Sequence, residues 1–140
     1  MKSTLATGLI LFVLTLSLGI PRLAIADEAI APPSLIGTWE GPLILSSDEN
    51  MKLALTFSLN EGKYTAVLIS SGMGIYAMPA DVVRVRGLNL TIRLQRLDLE
   101  ILGTLRLDDS GGKIQRIDGS WFQGSEMVPL VLQSVDSPSC

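Results

Sequence analysis

Apolar and polar residues alternate with a period of two along most of the chain after residue 35. In the segment 52–59, KLALTFSL, leucine or phenylalanine occupies every second position, and small or polar residues lie between them. The segments 88–95, LNLTIRLQ, and 97–108, LDLEILGTLRLD, repeat this pattern. Because successive side chains of a β-strand point to opposite faces, the alternation predicts half-buried strands.

Short segments rich in Gly, Asn, Asp and Ser separate the apolar runs, and such residues form the turns of β-hairpins. These segments are SSDEN at 46–50, NEG at 60–62, RGLN at 86–89 and DDSGG at 108–112. No ten-residue stretch after residue 26 has helical periodicity. We therefore predict an all-β domain of about eight strands. The expected strands are 36–45, 51–59, 63–70, 74–78, 81–86, 88–95, 98–107 and 113–123, followed by 127–133 if the end of the chain forms a hairpin.

Many short antiparallel strands with one apolar face hide their edges in either a sandwich or a barrel. The two tryptophans favour a barrel, because Trp39 and Trp121 lie in similar segments, GTWEG and GSWFQG, near the two ends of the domain. The first and last strands of an up-and-down barrel are neighbours. We therefore predict a single antiparallel up-and-down β-barrel, lipocalin- or calycin-like, in which these two segments pair and stack their tryptophans at one end.

Glycines flank both tryptophans and would let the backbone bend around these large rings. The residues predicted to close the barrel are Gly37, Trp39, Gly41, Gly119, Trp121 and Gly124. The alternative is that both tryptophans are ordinary core residues beside ordinary turns.

The first 26 residues resemble a signal peptide, with Lys2 before an apolar run and small residues, Ala24 and Ala26, before the expected cleavage site. The run is shorter than the roughly 20 residues of a membrane span; a retained N-terminal anchor is the alternative. We predict a signal peptide at 1–26, a flexible leader at 27–34, a β-barrel domain at 35–133 and a disordered tail at 134–140. The expected location is periplasmic or secreted.

Charge and composition exclude several classes of function. Without residues 1–26, nine basic and fourteen acidic residues give a net charge of −5, which disfavours nucleic acid and anionic membranes as partners. The chain has no histidine, which excludes Ser-His-Asp and Cys-His catalysis and any histidine-ligated metal. Its single cysteine, Cys140, cannot form an intramolecular disulfide, although a disulfide to another chain stays open. We predict no catalytic residue, metal or cofactor.

The segment 70–83, SSGMGIYAMPADVV, neither alternates well nor forms a tight turn. Methionine side chains adapt to irregular apolar surfaces, so Met73, Tyr76 and Met78 are candidate contacts for a ligand or partner. The alternative is that this segment crosses the barrel mouth and buries its methionines in the core.

Three segments, LIGTWEGPLIL, YTAVLISSGMGIYAMPADVV and IDGSWFQGSEMVPLVL, resemble in order and spacing a small β-barrel domain of bacterial proteins. This domain precedes the catalytic domain of exported α/β-hydrolases and serine β-lactamase-like hydrolases, and the resemblance runs from about Leu35 to Leu132. The family carries polar residues where this chain has Gly72 and Met73. Because the chemistry belongs to the attached hydrolase, the resemblance implies a non-enzymatic accessory or interaction module, here alone, that associates with a hydrolase or another envelope protein.

Two other functions stay open. The chain has a weaker resemblance to periplasmic barrel inhibitors of secreted metalloproteases, which typically have a cysteine pair that is missing here. Alternatively, the barrel binds a small apolar ligand, because eight strands enclose a space that side chains fill or one small ligand occupies. The leucine, isoleucine and phenylalanine residues predicted to face inward favour a filled interior.

Overall fold

A computed structural model describes Gly19 and residues 33–45 and 50–140. The predicted signal peptide, apart from Gly19, and residues 27–32 and 46–49 lie outside this described part. No helix among the described residues is long and apolar enough to span a membrane. The described chain forms these strands: β1 (Gly37–Ile44), β2 (Asn50–Asn60), β3 (Lys63–Ser70), β4 (Ile75–Pro79), β5 (Val82–Arg86), β6 (Asn89–Leu94), β7 (Leu99–Leu107), β8 (Ile114–Gln123) and β9 (Glu126–Val135). Single 3₁₀ turns lie at Ser71–Met73 and Gln95–Leu97.

All the strand pairs are antiparallel, and the strands form one sheet in the order β4-β3-β2-β1-β9-β8-β7-β6-β5. The sheet curls into a half-barrel, which confirms the prediction of an all-β, up-and-down antiparallel fold. The end of the chain forms the hairpin β8–β9, so the described part has nine strands instead of about eight.

The two edge strands, β4 and β5, follow each other in the chain and are joined by Ala80 and Asp81. The Ala80 amide donates to the Ala66 carbonyl on β3, and the Asp81 amide donates to the Arg93 carbonyl on β6, each at 2.8 Å. The run 75–86 therefore changes partner at this junction, from β3 on one side to β6 on the other. The open side of the half-barrel therefore lies along residues 75–86, which form both edge strands.

The first and last strands pair as predicted, with Thr38 opposite Val135 in the ladder between β1 and β9. The predicted pairing of the two tryptophan segments is wrong, because Trp121 lies on β8 and β9 separates it from β1. Trp39 lies opposite Ser134 and Trp121 lies opposite Val128. Six residues of β9 span about 20 Å, so the two tryptophans are offset by about this distance along the strand direction.

Inward-facing side chains fill the interior, and Trp121 and Phe57 are the largest fully buried ones. The predicted inward faces of β2 and β6 are correct over most of their length. Leu59 and Leu88 are exceptions, at 45% and 44% exposed, because they lie at the ends of the apolar runs. The core also includes Leu43, Leu53, Leu55, Leu68, Leu90, Ile92, Leu94, Ile101, Ile117, Leu130 and Leu132.

The glycines of the two tryptophan segments have separate structural roles. A Cβ atom at Gly41 would lie 2.0 Å from the Val131 carbonyl oxygen, and one at Gly119 would lie 2.5 Å from the Leu102 carbonyl oxygen. Both residues therefore allow a close approach between strands. Gly124 has a φ of +58° in the turn between β8 and β9, and Gly37 begins β1. These glycines thus shape the sheet locally, without bringing the tryptophans together.

The C-terminal residues, for which a disordered tail at 134–140 is predicted, contact the sheet in this structure. Strand β9 continues to Val135. Beyond it, the Ser139 amide donates to a Glu40 carboxylate oxygen at 2.6 Å, and the Ser139 hydroxyl donates to the other oxygen. The partly buried Cys140 thiol donates to the Ile69 carbonyl at 3.6 Å. The end of the chain therefore lies against β1 and β3.

Candidate functional site: a cleft between β3 and β5

A cleft of about 760 Å³ opens between β3 and β5, on the open side of the half-barrel. Strand β4 pairs with β3 only between Val67 and Ser70. Strand β5 pairs with β6 on its other side. On the side that faces β5, residues 63–65 of β3 therefore have no ladder partner within the described sheet, although they pair with β2 on their other side. The facing edge of β5 has no ladder partner there either, and the cleft lies between these two edges.

The floor of the cleft is apolar, and its rim is polar. Tyr64 on β3 and Val83 and Val85 on β5 are half-buried and pack against the core. Of their neighbours along the strands, Lys63, Thr65, Arg84 and Arg86 are exposed, and Val82 is half-buried. This division follows from the alternation of side chains along a strand, which points one set inward and the next set outward. A ligand in the cleft would contact the apolar floor on its inner side and the charged groups of the rim on its outer side.

Leu35 forms one wall of the cleft and is 1% exposed. Its amide donates to the Tyr64 hydroxyl at 3.2 Å, and its carbonyl accepts from the Trp39 indole nitrogen at 2.9 Å. These two hydrogen bonds hold the segment before β1 against the interior. Trp39 therefore supports a wall of the cleft, which is a different role from the predicted stacking on Trp121.

The charged groups of the cleft are two cations, Lys63 and Arg84, and one carboxylate, Asp81. An Asp81 oxygen accepts from the Gln95 amide at 2.7 Å, so this carboxylate is engaged with the 3₁₀ turn before β7. Among the described residues, neither cation forms a salt bridge. Two cations and one carboxylate give the cleft a net charge of +1, whereas the whole chain has a net charge of −3.

The residues predicted from the segment 70–83 lie elsewhere. Met73 and Met78 are half-buried against the core, and Tyr76 is 76% exposed. None of the three lines the cleft, although Met78 lines a smaller groove of about 380 Å³ beside the Ala80–Asp81 junction. Sequence reasoning missed Tyr64, Val83 and Val85. Pro79, which cannot donate a ladder hydrogen bond, was the local signal that pairing with β3 ends there.

Two carboxylates on β7 and β8, Glu100 and Asp118, form salt bridges with arginines. Glu100 on β7 lies opposite Arg93 on β6 and forms a salt bridge with it at 2.6 Å. Hydrogen bonds from Arg116 and Arg106 lower the pKa of Asp118 below its ordinary value. No group of three or more Cys, Asp or Glu residues that could hold a metal ion occurs among the described residues. The Arg93–Glu100 and Arg106–Asp118 salt bridges each join two adjacent strands, whereas Arg116–Asp118 lies within β8.

Comparisons with protein-family models, curated proteins and solved structures found no significant match to the chain. The cleft and the chemistry of the residues around it are therefore the basis on which we propose a function. These residues combine an apolar floor with two cations that form no salt bridge within the described part of the chain.

Proposed function

We propose that the protein is an exported, non-enzymatic binding barrel and that it takes up a small apolar molecule in the cleft between β3 and β5. The observation that carries this proposal is an apolar floor of half-buried side chains at an interruption of the sheet. The cleft volume of about 760 Å³ lies within the range of about 300–1,000 Å³ that is typical of small-molecule sites. The interior is filled, so the ligand binds beside the core and not inside it.

The apolar floor supplies the binding energy in this proposal. Burial of apolar surface contributes about 25 cal/mol per Å², so 100 Å² contributes about 2.5 kcal/mol. Micromolar affinity corresponds to about 8.2 kcal/mol. A ligand would therefore need to bury about 330 Å² of apolar surface, counted over both partners, and more to offset the entropy lost on association. A molecule that contacts Tyr64, Val83, Val85 and Leu105 together would cover much of the apolar lining of the cleft.

Titration with N-phenyl-1-naphthylamine, a neutral apolar dye whose fluorescence rises on burial, tests this proposal. Val85→Trp places a large ring on the floor of the cleft, and we expect it to weaken dye binding at least tenfold. Val131→Trp is the matched control, because Val131 faces outward on β9, is 45% exposed and lies outside the cleft. Equal dye binding by both variants and the wild-type protein would contradict the proposal.

The second candidate function is the accessory module implied by the resemblance to hydrolase-associated barrels. Its support is an exposed apolar strip on the outer face of β1 and β9, where Ile44 is 60% exposed, Met127 63% and Val131 45%. Exposed apolar patches commonly mark protein contacts. If the protein is such a module, Met127→Glu should lose a co-purified hydrolase and Val85→Trp should retain it. Retention by both variants would exclude this strip as the contact.

A further inference from the structure

We infer that the ligand of the cleft is a single-chain amphiphile with a carboxylate head, in which the chain covers the apolar floor and Lys63 and Arg84 bind the head. This inference rests on the proposed function, since it specifies the ligand of the same cleft. Three features of the cleft support it: the placement of its charges, the close approach of β3 and β5, and its net charge.

The two cations lie on opposite sides of the cleft, Lys63 at the start of β3 and Arg84 in the middle of β5. Both are exposed, and neither has an ion-pair partner among the described residues. The other charged residue of the cleft, Asp81, already accepts a hydrogen bond from the Gln95 amide. A negative group above the apolar floor would therefore meet two unpaired cations.

The close approach of some residues of β3 and β5 favours a thin chain over an added peptide strand. Cα atoms of β3 and β5 approach within 8 Å of each other. An intervening β-strand needs about 4.8 Å on each side, or about 9.6 Å in total. An alkyl chain is narrower, and the five residues of β5 provide a wall about 16 Å long at about 3.3 Å per residue. The site is thus better suited to an extended alkyl chain than to an added strand.

The charge of the cleft favours a carboxylate over a phosphate. The net charge of +1 matches the single negative charge of a carboxylate, whereas a phosphate monoester carries about 1.5 to 2 negative charges at pH 7. The guanidinium of Arg84 can bind both oxygens of a carboxylate side by side, and the Lys63 ammonium adds a second donor. Solvent-exposed ion pairs contribute only modestly, so we expect the head to improve affinity about fivefold to tenfold at low salt.

Displacement of bound N-phenyl-1-naphthylamine by three compounds with the same chain, dodecanoate, dodecanol and dodecyl phosphate, tests this inference. We expect dodecanoate to displace the dye at a concentration about fivefold to tenfold lower than dodecanol, and to be at least as effective as dodecyl phosphate. This preference should shrink in about 1 M salt, where the Debye length is about 3 Å. It should also fall below about twofold in the double variant Lys63→Gln, Arg84→Gln.

The matched control is the double variant Arg96→Gln, Lys113→Gln, which removes the same charge at positions outside the cleft. It should retain the preference for dodecanoate. Equal displacement by dodecanoate and dodecanol would overturn the carboxylate inference and leave the proposed function standing. Stronger displacement by dodecyl phosphate would overturn the choice of carboxylate. If neither the dye nor any of the three compounds binds, the proposed function itself fails.

Discussion

Gly41→Ala should disrupt the contact between the first and last strands. The added Cβ would lie 2.0 Å from the Val131 carbonyl oxygen, whereas ordinary contacts begin near 3.4 Å. The strands would have to separate by about 1.4 Å, the difference between these distances. Overpacking a core costs about 1–3 kcal/mol, and the obstacle here is a backbone oxygen held in a sheet. We therefore expect a loss of about 3 kcal/mol.

Guanidinium unfolding followed by circular dichroism measures this loss as a free energy of unfolding. For a domain of about 100 residues, 1 kcal/mol corresponds to a shift of about 4–8 °C in Tm, so Gly41→Ala should lower Tm by about 12–24 °C. Gly112→Ala is the control, because its nearest neighbour, the Ser110 hydroxyl, would lie 3.4 Å from the new Cβ. We expect that control to stay within about 0.5 kcal/mol of wild type. A similar result for Gly41→Ala would refute the close approach of β1 and β9.

Three further predictions concern the tryptophans and the end of the chain. Trp39→Phe should lower the free energy of unfolding by about 1 kcal/mol more than Trp121→Phe. The reason is that only the Trp39 indole has a hydrogen-bond acceptor in the described structure. Equal losses in the two variants would contradict this difference. Hydrogen bonds from Ser139 lower the pKa of Glu40 below its ordinary 4.5. Their stabilising effect is therefore present above about that pH and is lost as the pH falls through the folded-state pKa. NMR shifts of Ser139 that do not change with acidification would refute this contact. Burial, and secondly the Glu40 charge, raise the pKa of the Cys140 thiol. Glu40→Gln should therefore speed the alkylation of this thiol by iodoacetamide at pH 8. An unchanged rate would argue against the contact between the C-terminal residues and β1.

Periodicity predicted the strands well because it depends on local sequence. The predicted strand 51–59 corresponds to β2, Asn50–Asn60, and the pairing of β1 with β9 followed from up-and-down order alone. The position of Trp121 could not be predicted in the same way. The segment around it resembles the first strand, but the hairpin that follows occupies the place beside β1. Alternation assigns a residue to a face of the sheet and does not assign neighbours to a strand.

The candidate site was harder to predict than the fold. Val83 and Val85 alternate with arginines as in any half-exposed strand, and their sequence does not show that β5 separates from β3. That separation arises from the change of partner at Ala80 and Asp81, which depends on residues far apart in the chain. Met73 and Tyr76 were predicted as contacts because of the composition of their irregular segment. The cleft is instead formed by regular strands, β3 and β5, whose facing edges are unpaired.

An NMR titration of the backbone amides with dodecanoate tests the central claim most directly. Ligand binding in the cleft predicts chemical-shift changes concentrated at residues 63–65 and along β5, Val82–Arg86, on the two edges that line it. Amides of the outer strip, such as Met127 and Val131, should change little. Shift changes centred on that outer strip, or no changes at all at saturating ligand, would contradict the assignment of the cleft as the binding site.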